Sequence, residues 1–270
     1  MNSNNILSLL PVATGILIFS CLLSTTTSLA SDLEREQRLA DEIVEAILDG
    51  EPVTLQAAGH DFVGIYTPAE ADPERGAAFI VQGRGMHPDG GEVANPLRVG
   101  LPARGWWTLS RQMPVLDKEA RYYDYEEIFS EATPRIEAAI RYLRAQGSDH
   151  IALISHSCSV HMSMTWVEQR GTAGIDAYVG IGMGATDYKQ PMRQPFPYAG
   201  IKVPLLNIVG SEDYPAVQLQ ASKLESILEE LPGGSAQRRI EGAGHYFDDQ
   251  NEELLEAITD WLEQIAPQTD

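Results

Sequence analysis

Ile151-Ala152-Leu153-Ile154-Ser155-His156-Ser157-Cys158-Ser159 joins a four-residue apolar run to a turn of small polar residues, and a helical stretch follows to about Arg170. A run that short, with no polar alternation, fits a strand covered on both faces, as in a parallel sheet. Similar runs occupy Ala77 to Val81, Trp106 to Leu109, Ala177 to Ile181 and Val203 to Val209. Helical patterns separate them. Asn95-Pro96 offers an N-cap and an N1 proline with Gly105 as a stop, and Thr133-Pro134 opens a stretch with Ile136, Ala139, Ile140 and Leu143 on one face and Gly147 after it. Val217, Leu224, Ile227, Leu228 and Leu231 mark another helix, and Leu254 to Ile265 the last. Alternating strands and helices predict an α/β fold, a mostly parallel twisted sheet with helices on both faces. Upstream, Val53 to Ala57 and Phe62 to Tyr66 flank Gly59-His60-Asp61, which predicts an antiparallel hairpin at the entry to the sheet. Leu39, Ile43, Ile47 and Leu48 recur at helical spacing before Gly50, which predicts an amphipathic helix ending there.

The strand, turn and helix around Ser157 match the layout of a G-x-S-x-G elbow, in which a strained turn lifts the central hydroxyl above the sheet. Here serines, the next smallest choice, stand at both glycine positions, so the pattern is S-x-S-x-S. Two later strands add partners. The run ending at Val209 leads into Gly210-Ser211-Glu212-Asp213, and Arg238-Arg239-Ile240 leads into Glu241-Gly242-Ala243-Gly244-His245. The order Ser157, Asp213, His245 puts a nucleophile, an acid and a base each where a parallel strand delivers its C-terminal end. His245 would take the hydroxyl proton of Ser157, and Asp213 would orient the imidazole. An oxyanion would need two N–H donors: Cys158, just after the nucleophile, and Arg84, in the Gln82-Gly83-Arg84-Gly85 loop after Val81. Gly83, Gly85 and His87 are expected to contact substrate from that loop, with local loop hydrogen bonding an equal reading for His87. Asp187, after the run ending at Ile181, is the alternative triad acid.

Further stretches carry a family likeness: Phe62 to Pro68, Met86-His87-Pro88-Asp89, Pro96-Leu97-Arg98, Leu101-Pro102, Gly105-Trp106-Trp107-Thr108-Leu109 and Met113-Pro114. With these the chain beyond residue 30 resembles the α/β-hydrolase superfamily. Within it, the chain is most similar to a bacterial exported α/β-hydrolase-like family of unknown function, domain-of-unknown-function family 3530. The resemblance implies the α/β-hydrolase fold. It leaves activity open, because that family has no assigned substrate and its members do not all keep a serine at the elbow.

The first 30 residues hold no Asp, Glu, Lys or Arg, and Ile6 to Leu23 form an apolar run broken only by small polar residues, Pro11 and Gly15. Ser28-Leu29-Ala30 places small residues before a cut, and charge begins at Asp32. Residues 1–30 are therefore expected to be a cleaved signal peptide, leaving residues 31–270 as a single domain in the periplasm or outside the cell. An uncleaved anchor over Ile6 to Leu23, or lipidation at Cys21, is the alternative and the only expected membrane contact. Only Cys158 would remain after cleavage, so no internal disulfide is expected. With 19 basic against 39 acidic residues, a net charge of -20, the chain offers no surface for nucleic acid. No His, Cys or carboxylate cluster has metal-ligand spacing and no phosphate-binding loop precedes a helix, so neither metal nor cofactor is expected.

Other polar residues have plainer readings. His156 is expected to support the elbow, Cys158 to act through its backbone, and His161 to be structural. The proline- and aromatic-rich segment Gly184 to Gly200 stands where this fold inserts a lid, and its shortness predicts a minimal lid over an open, shallow pocket. The function expected is an exported serine hydrolase acting on small ester-like molecules through an acyl-enzyme. The alternatives are a non-catalytic binding protein of the cell envelope, favoured by the two elbow serines, and acyl transfer or dienelactone-type chemistry.

Overall fold

The computed structural model describes residues 31–266, so the expected signal peptide, with Cys21, lies outside the described residues. Helix α1 (Leu33–Val44) starts at Asp32, whose carboxylate accepts from the Arg35 N–H at 2.9 Å. It stops before the expected end at Gly50: Ala46 and Ile47 both donate to the Ile43 carbonyl, and Leu48 is 94% exposed. Glu36 holds the helix to the sheet's covering layer through a buried ion pair with Arg135 at 2.8 Å.

Strands β1 (Glu51–Ala57) and β2 (His60–Thr67) form the expected hairpin. Its two-residue turn, Ala58 at φ 51 and Gly59 at φ 85, has the double left-handed backbone that matches strand twist. The remaining strands are β3 (Gly76–Val81), β4 (Trp106–Arg111), β5 (Ile151–His156), β6 (Ala177–Ile181), β7 (Leu205–Gly210) and β8 (Ala236–Ile240). All eight form one sheet in the order β1-β2-β4-β3-β5-β6-β7-β8. Only β2 runs antiparallel to its neighbours, β1 and β4. From β4 to β8 every pair is parallel, so these strands end along one rim.

Helices α2 (Ala94–Gly100), α3 (Tyr122–Glu126), α4 (Ala132–Ala145), α5 (Cys158–Arg170), α6 (Pro215–Glu225) and α7 (Asn251–Ile265) complete the fold. One face of the sheet, with Phe79, Leu109 and Leu153, packs on α4 and α5; the other, with Ile80, Ile154 and Ile208, packs on α2 and α7. Alternate residues of one strand thus feed opposite cores, which is why the strands read as unbroken apolar runs.

Two predicted caps are replaced by tertiary bonds. Val93, not Asn95, precedes α2, and the Asn95 amide instead donates to Asp89, which also pairs with the buried Arg98 at 2.6 Å. Helix α4 continues from a 3₁₀ turn at Phe129–Glu131, and Thr133 donates to Gln169 of α5 at 2.9 Å. The short α3 has no signature that sequence reasoning found. The helix expected to reach Leu231 ends at Glu225, with a 3₁₀ turn at Leu228–Glu230 after it.

Candidate active site

Ser157 occupies the single residue between β5 and α5, with φ 58 and ψ -123, a backbone that L side chains rarely adopt. Such strain persists only where surrounding structure imposes it. Here the Ser157 N–H donates to the Ile181 carbonyl at 2.9 Å and its own carbonyl accepts from Val160 at 3.0 Å. The serines at the elbow's glycine positions fit without distorting the turn. Ser155 is wholly buried in β5, and the Ser159 hydroxyl donates to the Gln82 carbonyl, tying the start of α5 to the loop after β3.

The partners arrive from beyond β7 and β8, two and three strands away from β5. His245 Nε2 lies 2.8 Å from Ser157 Oγ, and its Nδ1 lies 2.8 Å from Asp213 Oδ1, so Nδ1–H donates to the carboxylate and leaves Nε2 free to accept the serine proton. Asp213 Oδ1 also accepts from the Tyr214 N–H at 2.7 Å, and the side chains of His245 and Asp213 are 2% and 0% exposed. Two glycines allow this convergence. Gly182 has φ +62, and a Cβ there would lie 2.8 Å from His245 Cε1; at Gly210 a Cβ would meet the Ala243 carbonyl oxygen at 2.3 Å.

His156 turns away from Ser157 and donates from Nε2 to the His245 carbonyl at 3.0 Å. Burial, reinforced by the neighbouring His245, pushes its pKa down to about 3, so it acts as a neutral strut beneath the loop that carries the base. His161 is similar. Its Nε2 donates to the Ala185 carbonyl at 2.9 Å, and burial lowers its pKa to about 4. Burial also raises the Cys158 thiol to about 12, which leaves its backbone N–H, at the open start of α5, as the useful group.

Arg84 and Asp187 find each other. The guanidinium grips the carboxylate with two bonds, 2.5 and 3.1 Å, and Asp187 also accepts from the Tyr122 N–H at 2.7 Å. The Arg84 bonds hold the Asp187 carboxyl below its usual range. Asp187 therefore pairs with Arg84 and Tyr122 while Asp213 holds His245, and it ties the loops after β3 and β6 to α3.

Ser157, Cys158, Gly83 and Arg84 border a cavity of about 740 Å³, within the usual range for small-molecule sites. The segment after β6 walls it through Ala185 to Pro191 and folds into no helical lid, apart from a 3₁₀ turn at Tyr198–Gly200. Two expected contacts are corrected: Gly85 and His87 do not line the cavity. The Gly85 carbonyl accepts from Arg35 at 3.3 Å, and His87 Nδ1 accepts from the Asp89 N–H at 3.2 Å, so the loop turns both toward its own supports. Sequence reasoning missed the tyrosines, Tyr122, Tyr188, Tyr214 and Tyr246, that line the cavity. Tyr214 and Tyr246 directly follow Asp213 and His245, a signal that was there to be read. Among the described residues no group of His, Cys, Asp or Glu could hold a metal ion.

The family described as Protein of unknown function (DUF3530) matches residues 24–132. No curated protein matches the sequence significantly. Solved structures match over most of the chain. A serine hydrolase without a lid from Xanthomonas campestris is 16% identical, with a TM-score of 0.58, over 83% of this chain and 98% of that one. Dienelactone hydrolase from Anabaena variabilis is 17% identical, with a TM-score of 0.60, over 80% and 97%. Est1E from Butyrivibrio proteoclasticus is 15% identical, with a TM-score of 0.57, over 80% and 99%. These likenesses establish the α/β-hydrolase fold.

Proposed function

We propose that this chain is an exported serine hydrolase that cleaves small carboxylic esters through an acyl-enzyme on Ser157. One observation carries the reading: Ser157 Oγ, His245 and Asp213 are linked in series by two 2.8 Å hydrogen bonds at the edge of a cavity. His245 Nε2 takes the Ser157 proton as Oγ attacks the ester carbonyl, and Asp213 stabilises the imidazolium that forms. The backbone N–H groups of Cys158 and Arg84 are the donors we assign to the oxyanion, a role worth roughly 10²–10³ in kcat for each donor. His245 then passes the proton to the departing alcohol oxygen, and a water, activated by the same base, releases the acid. Solved relatives named as a dienelactone hydrolase and an esterase support ester chemistry. Export rests on the uncharged apolar N-terminus ending at Ala30, and a mature protein starting at Ser31 is expected from N-terminal sequencing of secreted material.

A fluorophosphonate probe tests the reading. The wild type should be labelled and Ser157→Ala should not; equal labelling of the two removes the assignment. A wild type that resists the probe and turns over no ester would support a second reading, a non-catalytic envelope binding protein.

A further inference from the structure

The most exposed aromatic side chains among the described residues are Tyr188, Tyr214 and Tyr246, at 80%, 43% and 38%, and all three line the cavity beside Ser157. They come from three separate loops, after β6, β7 and β8. Rings gathered from distant parts of a chain around one opening form a patch that a flat apolar ligand would cover.

Their placement against the base selects one half of an ester. Tyr214 stacks on His245 with ring centroids 4.4 Å apart, and Tyr246 meets the same imidazole edge-on at 5.1 Å. Because His245 Nε2 delivers the proton to the leaving oxygen, the alcohol half departs alongside these rings. The carboxylate and amide acceptors at the mouth already hold protein partners. Both oxygens of Asp187 are held, by Arg84 and by the Tyr122 N–H, and Gln190 Oε1 accepts from the Tyr123 N–H at 3.0 Å. What the mouth offers instead is ring faces, with the Lys189 ammonium 5.1 Å from the centre of the Tyr188 ring.

We propose that this site is specific for esters whose alcohol half carries a single flat aromatic ring, the ring lying among Tyr188, Tyr214 and Tyr246. The assignment to the alcohol half rests on the hydrolase reading above. The test uses Ser157→Ala protein, which cannot turn an ester over, and calorimetric binding of benzyl acetate against cyclohexylmethyl acetate, which differ in flatness more than in size. Benzyl acetate should bind more tightly by about three- to tenfold. Adding Tyr188→Leu or Tyr246→Leu should bring that ratio toward one. Ethyl benzoate against ethyl cyclohexanecarboxylate, with the ring moved to the acyl half, should show no comparable preference. Equal binding of the first pair, or a preference that follows the acyl ring, overturns the proposal. Fluorophosphonate labelling of the wild type separates the two readings: a labelled enzyme with equal binding loses the ring specificity alone, whereas an unlabelled enzyme loses the hydrolase reading while the binding ratio still decides the ring site.

Discussion

Tyr214 lies face to face with His245, planes 27° from parallel, while its backbone N–H donates to the same Asp213 oxygen that holds the imidazole. One residue thus braces His245 through its ring and Asp213 through its main chain. In the proposed mechanism the imidazole is cationic in the transition state, and an aromatic face favours a cation by about 0.5–2 kcal/mol. Partial desolvation at the cavity wall, with Tyr246 beside it, raises the Tyr214 hydroxyl to about 12, so the ring stays neutral in any ordinary assay.

Tyr214→Leu keeps the backbone bond and removes the ring face. Its kcat should fall about two- to thirtyfold with less change in KM, and Tyr214→Phe should recover most of the loss. Steady-state kinetics on a short ester measure both, and a Leu variant as fast as wild type would refute the role of the ring.

Gly182→Ala places a methyl group 2.8 Å from His245 Cε1 at a residue with φ +62. The imidazole must move, and Ser157 loses its 2.8 Å bond to Nε2. Probe labelling should slow by at least about 100-fold, since a 1 Å misplacement alone costs a factor of that order. Circular dichroism should still report the native fold, and a fully active variant would show that the contact does not constrain His245.

Cys158 should resist alkylation. Burial raises its thiol to about 12, so the reactive thiolate is scarce at pH 8, and the thiol itself is enclosed. Iodoacetamide followed by intact mass, on protein beginning at Ser31 so that Cys158 is its one cysteine, should show no adduct on the native protein and one in denaturant. Rapid native labelling would contradict the burial.

His156 and His161 tie stability to acid. Each has a folded pKa lowered from 6.5, to about 3 and about 4, chiefly by burial, so the unfolded chain binds their protons first. Their contribution is fully present above about pH 6.5 and is lost as pH falls through the interval down to those folded values. Urea midpoints measured from pH 7 to 4 should decline, and His156→Gln should make the decline shallower. An unchanged slope in the variant would show that burial does not lower the pKa of His156.

The hairpin was legible in its two strand-forming runs, but its turn is tighter than the expected Gly59-His60-Asp61: His60 and Asp61 pair with Ala57 and Gln56, and Ala58-Gly59 alone takes the doubly left-handed turn that twisted strands require. The parallel sheet was legible in the same way, through apolar runs such as Ile151 to Ile154 that only a doubly covered strand explains. The order Ser157, Asp213, His245, each just beyond a strand end, then placed the three side chains on one rim before any distance was known. Local signals misled where another partner won: the Asn95 amide donates to Asp89 rather than capping α2, and the Gly85 carbonyl turns to Arg35, while His87 follows the loop-bonding reading by accepting from the Asp89 N–H.

What the sequence by itself determined was periodicity, turn chemistry and the order of reactive residues, because these depend on neighbours along the chain. The tertiary structure alone decided that Arg84 meets Asp187 across 103 positions, that His156 supports the His245 carbonyl, and that three tyrosines from three loops share one opening. Those contacts depend on which strands lie side by side and on how far each loop leans over the rim, and packing of the whole sheet against its helices sets both.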